Sequence, residues 1–129
     1  MKKKVLIITD DSVETAKIAA GIKAALSGST VLVKNASGFR GNDILPADAF
    51  FLGCEKPMPD SFVYLADLLK HINLAGRPCG IFSPGSEKAV KYLAGLIKDS
   101  EAALYPEPFT GSGAAVKSWA QKVISKEAH

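Results

Sequence analysis

A chain of 129 residues with 47% hydrophobic and 22% charged side chains has the balance of one ordinary globular domain, and no segment pairs low hydrophobicity with high charge. The net charge of +3 comes from lysines spread along the chain, clustered only at Lys2, Lys3 and Lys4, with no Arg-rich stripe among aromatics, which argues against a nucleic-acid partner. The apolar run behind those lysines, Val5 to Ile8, stops at Thr9-Asp10-Asp11, too short for a signal peptide or a membrane span, so the sequence reads as cytoplasmic with no membrane partner.

Strand-like and helix-like segments alternate from end to end, the pattern of a parallel sheet with helices on both faces. Val5-Leu6-Ile7-Ile8 is continuous and rich in β-branched residues, as a central strand buried on both sides should be. A helix follows over Val13 to Leu26, with Ile18, Ile22 and Leu26 at spacing four, Asp11 or Ser12 as N-cap and Gly28 beyond its end. Ser29 to Val33 is the second strand. The breakers Ser37-Gly38 and Gly41-Asn42 leave room only for a turn or helical fragment at Ile44-Leu45-Pro46.

Ala49-Phe50-Phe51-Leu52 is the third strand, and Pro57 and Pro59 keep the loop from Gly53 to Pro59 from becoming helical. Asp60 or Ser61 is placed to cap a helix carrying Phe62, Leu65, Leu69 and Ile72, ended by Ala75-Gly76-Arg77-Pro78. The fourth strand is Cys79 to Phe82, and Ser86 is placed to cap a helix carrying Val90, Leu93 and Ile97. A short fifth strand, Ala102 to Tyr105, is cut off by Pro106 and Pro108. The last helix, about Ala114 to Lys126, carries Val116, Trp119, Ala120 and Val123 on one stripe.

Right-handed crossovers leave few ways to arrange five such units, and the commonest is a doubly wound α/β domain with strand order 2-1-3-4-5. Ligands of such sheets bind outside the carboxyl ends of the strands, at the switch point between strands one and three. The loops that matter are then Thr9 to Thr15, Gly53 to Ser61, Ser83 to Ser86 and Pro106 to Gly113.

Ala47-Asp48-Ala49-Phe50-Phe51-Leu52-Gly53 is similar to the strand that enters the flavin loop of flavodoxins, and Leu74-Ala75-Gly76-Arg77-Pro78 with the strand behind it resembles a second family pattern. The resemblance spans nearly the whole chain. It implies a flavodoxin-like protein that binds flavin mononucleotide (FMN) non-covalently, transfers one or two electrons and works with a redox partner protein, rather than a catalyst acting on a substrate. The family's phosphate loop after strand one falls on Thr9, Asp10, Asp11, Ser12 and Thr15, and its ring-facing loops fall on Cys54, Met58, Ser83 and Gly85.

The match is incomplete in chemistry. Thr9, Ser12 and Thr15 keep hydroxyls for a phosphate at a helix N-terminus, yet the loop has no glycine and carries Asp10, Asp11 and Glu14. A carboxylate about 4 Å from a phosphate charge costs on the order of 1 kcal/mol in water. The ring loops offer Met58 but no aromatic, since Phe62 belongs to the core side of a helix.

Two rival readings share the same fold. Asp10, Asp11 and Glu55 would converge on an acidic pocket able to hold Mg²⁺, as in receiver domains, although Glu55 and Glu107 stand where those domains carry their phospho-acceptor Asp and their Lys. A flavin-free interaction or scaffold module needs neither ligand. Cys54 and Cys79 have no metal spacing and are not placed for a disulfide, and no Ser/His/Asp or metal-hydrolase constellation is visible.

Overall fold

The computed structural model describes residues 3–38, 44, 46–98, 100–111 and 115–125. The elements in chain order are β1 (Lys4–Thr9), α1 (Val13–Ala25), β2 (Thr30–Asn35), β3 (Ala49–Gly53), a 3₁₀ turn (Asp60–Phe62), α2 (Val63–Leu69), β4 (Pro78–Ser83), α3 (Glu87–Lys98), β5 (Ala103–Leu104), β6 (Phe109–Thr110) and α4 (Ala115–Ser125). All pairings are parallel and the order is β2-β1-β3-β4-β5, with β6 also on β4. This is the expected doubly wound sheet. Part of the helical fragment expected at 44–46, at residue 45, lies outside the described residues.

Alternation along the central strands divides the core in two. Val5, Ile7, Ala49 and Phe51 pack with Ile18 and Ile22 of α1 and Trp119 and Val123 of α4. Leu6, Ile8, Phe50 and Leu52 pack on the opposite face with Leu65 and Leu69 of α2 and Leu93 and Ile97 of α3. Every residue of β3 is buried, which is why its sequence shows no polar alternation. Phe50, Phe51, Phe62 and Phe82 are among the largest fully buried side chains, each worth roughly 1.5–3 kcal/mol of burial.

Two glycines make room for aromatic rings between β3 and β4. Gly53 pairs with Phe82 and Gly80 with Phe51 in the register, and each ring lies over its partner's missing side chain. A Cβ on Gly80 would stand 2.9 Å from the Phe51 ring and 3.1 Å from Trp119, and one on Gly53 would clash with the edge of the Phe82 ring. Trp119 meets both phenylalanines edge-on, with ring centroids 5.5 and 6.4 Å apart, and its indole N–H donates to the Glu107 carbonyl at 2.6 Å.

The structure departs from the sequence reading at two places. Neither Asp60 nor Ser61 caps the helix after β3: the chain makes a 3₁₀ turn there, and α2 starts at Val63 without a side-chain cap. The fifth strand is shorter than expected, Ala103–Leu104, and a sixth, β6, follows the prolines and bonds to the far end of β4. Between Cys79↔Leu104 and Phe82↔Phe109 the outer chain spends two more residues than β4, and Pro106 and Pro108 sit in that excess, where no ladder N–H is demanded of them. At the other edge, β2 runs unbroken for six residues with Leu32 45% and Val33 39% exposed.

Candidate functional site

The carboxyl ends of β1 and β3 lie side by side while their chains depart toward opposite faces, α1 to one and α2 to the other. The crevice this opens is a cleft of about 460 Å³ lined by residues 10–12 from the loop after β1 and 55–61 from the loop after β3. A second hollow of about 460 Å³ adjoins it across Glu55 and Lys56 and reaches Glu14, Pro84, Gly85 and Ser86.

Asp10 organises the first loop. Its carboxylate is almost fully buried, one oxygen accepting the Ser12 N–H at 3.1 Å and the other the Glu55 N–H at 2.8 Å, so one side chain ties the loop after β1 to the loop after β3. Asn35, at the end of β2, donates its side-chain amide to the Asp10 carbonyl at 3.3 Å and to the Asp11 carboxylate. Ser12 is the N-cap of α1, its hydroxyl accepting the Thr15 N–H at 3.4 Å. The Thr15 hydroxyl is buried and has no hydrogen-bond partner among the described residues.

The loop after β3 supplies the apolar part. Met58, between Pro57 and Pro59, adopts φ 55°, a left-handed conformation costly for a side-chain-bearing residue, and is 76% exposed. Cys54 is turned into the core beside Phe62 and Leu65, and its thiol is pushed up to about 12, by burial first and by the Asp10 carboxylate second. After β4, the buried Ser83 hydroxyl accepts the Ser86 N–H at 3.3 Å, and Ser86 caps α3 through the Ala89 N–H at 3.0 Å, as its position in the sequence predicts.

Of the nine sequence-predicted site residues, Asp10, Asp11, Ser12 and Met58 share the first cleft and Gly85 borders the second. Thr9, Thr15, Cys54 and Ser83 line neither: all four are buried, three at the ends of central strands and Thr15 on the inner side of α1. Asp10, Asp11 and Glu55 share the cleft as expected, but Asp10 meets the Glu55 backbone amide rather than its carboxylate. No group of three or more potential ligands is placed to hold a metal among the described residues. Asn35 and Lys56 were not foreseen; the position of Asn35 at the carboxyl end of the strand beside β1 was the available signal.

The fit to FMN is split. The apolar ledge at 57–59 and the open hollow toward Gly85 offer a flavin ring and its hydroxylated chain a partly apolar bed. The phosphate fares otherwise. Five carboxylates and one lysine, Lys56, line the two hollows, and Lys17 nearby is paired with Glu14 at 3.3 Å. The inward amides of Ser12 and Glu55 already serve Asp10. These residues do not fit a phosphate dianion.

No protein-family model matches the sequence, and no curated protein matches it. Solved structures do, over almost the whole chain. A short-chain flavodoxin associated with a Pdu bacterial microcompartment superposes at TM-score 0.83 with 14% identity, over 97% of this chain and 98% of its own. Flavodoxin 2 of Bacillus cereus, solved oxidised, gives 0.77 with 22% identity over 92% and 93%. The general stress protein 14 of Treponema denticola, solved in complex with FMN, gives 0.59 with 10% identity over 95% and 94%. The chain has the flavodoxin fold. No helix among the described residues is long and apolar enough to cross a membrane.

Proposed function

We propose that this protein is a flavodoxin-like electron carrier that holds a flavin non-covalently in the cleft between the loops after β1, β3 and β4. The observation that carries the reading is the cleft itself: it lies at the switch point of a sheet shared end to end with flavodoxins, and the exposed Met58 between two prolines gives it an apolar floor. A bound flavin supplies one- and two-electron chemistry. The chain's own residues shelter one face of the ring and position backbone groups of residues 84–86 toward its edge. FMN is the flavin the resemblance implies, with a redox protein as partner.

A flavin-free interaction module is the second reading, favoured by the closed Asp10 bridge and by exposed Val13, Val63 and Tyr64, whose positions adjoin the cleft-lining segments 10–12 and 55–61. The visible spectrum of the purified protein, followed by fluorescence titration of riboflavin and FMN, separates the two. A yellow protein, or quenching of either flavin at micromolar protein, supports the carrier. A colourless protein that quenches neither leaves the interaction module.

A further inference from the structure

The loop after β1 carries its own anion. A phosphate at a helix N-terminus is held by free amides and the positive end of the helix, and wrapping an oxygen closely needs a left-handed residue that turns successive N–H groups inward. Here the Ser12 and Glu55 amides are both donated to the Asp10 carboxylate, which is almost fully buried. No residue from 9 to 15 has a positive φ, so the loop forms no such nest.

The surrounding charge is mostly of the same sign, with Lys56 the one cation lining the two hollows. Asp11 and Glu55 line the cleft with Asp10, Glu14 borders the adjoining hollow, and the Lys17 ammonium is engaged by Glu14. A dianion using those two amides would have to displace the Asp10 carboxylate from both, breaking the link between the two loops, and would then face it across a short distance. A neutral, hydroxylated chain meets no such opposition.

From this we infer that the cleft selects flavins that lack the phosphate: its ligand is of the riboflavin class, with Asp10 standing in for the phosphate the cofactor does not bring. The inference rests on the flavin reading above. It predicts the order of two affinities rather than the presence of one.

Calorimetry with riboflavin and FMN on the whole protein tests it. Riboflavin is expected to bind at least tenfold more tightly, a gap of about 1.4 kcal/mol. The gap should narrow as salt screens the carboxylates. In the Asp10→Ser/Asp11→Thr variant the order should reverse, and the exposed Asp11→Asn variant should shift it part of the way if the double variant folds poorly. FMN binding as well as or better than riboflavin to the wild type overturns the inference and leaves the carrier intact. A second measurement does not depend on flavin. Titration of inorganic phosphate should leave the Ser12 and Glu55 amide resonances of the wild type unmoved, and shifts at both would overturn the inference even if no flavin binds. Absence of any flavin binding overturns the carrier reading instead.

Discussion

Replacing Gly53 by alanine tests the packing that places the floor of the cleft. The new Cβ would clash with the ring edge of Phe82, its register partner, which is fully buried and meets Trp119 at 72° between ring planes. The ring cannot swing freely, because Trp119 is itself held by the Glu107 carbonyl and by Phe51. Overpacking of this kind costs typically about 1–3 kcal/mol, and a boxed-in ring puts Gly53→Ala near the upper end. For a chain of this size that lowers Tm by roughly 8–12 °C. Urea denaturation of Gly53→Ala, Phe82→Leu and the double variant gives the cycle: the smaller side chain should relieve the clash, so the double variant should lose at least about 1 kcal/mol less than the two singles together. A Gly53→Ala protein within about 0.5 kcal/mol of wild type, or an additive cycle, would refute the reasoning.

Four further outcomes are expected. Thr15→Val removes a buried hydroxyl that has no partner among the described residues and keeps its shape, so it should stabilise by about 1 kcal/mol in urea unfolding, and a loss of similar size would show that the hydroxyl is satisfied. Trp119→Ala should cost about 3–5 kcal/mol by the same assay, since it empties the space between Phe51, Phe82 and Phe109. Burial holds the thiols of Cys54 and Cys79 well above their ordinary 9.0, so both should resist a thiol reagent at neutral pH until the protein unfolds. Above about pH 9 the unfolded chain binds fewer protons than the folded one, so stability should fall as pH rises from about 9 toward 12; a flat profile there would contradict the burial.

What could be read in advance follows the reach of each interaction. The continuous run Val5 to Ile8 and the cap-and-stripe pattern of Ser12 with Ile18 and Ile22 are local signals, and β1 and α1 lie where those signals put them. The role of Asp10 was not legible, because its second bond goes to an amide 45 residues away; from local sequence it reads as a first-turn acid favourable to the helix dipole. Met58 was legible as an apolar residue between prolines, but not as a left-handed one, since nothing local separates a strained turn from an extended loop. The prolines at 106 and 108 hid β6: their lost N–H groups matter only where a ladder calls for them, and the two-residue excess removes that demand.

The two rims of the sheet are unequal, and that bears on how copies of this chain can join. On one side β5 and β6 offer two residues each, interrupted by prolines, so among the described residues that rim gives only a short template for another strand. On the other, β2 presents six regular residues, TVLVKN, with Lys34 their single charge and Leu32 and Val33 in solvent. Pairing through β2 consumes the open rim of both copies at once. Aggregation along this route therefore closes at two molecules instead of propagating as a fibre, and a charge placed at Leu32 would suppress even that step.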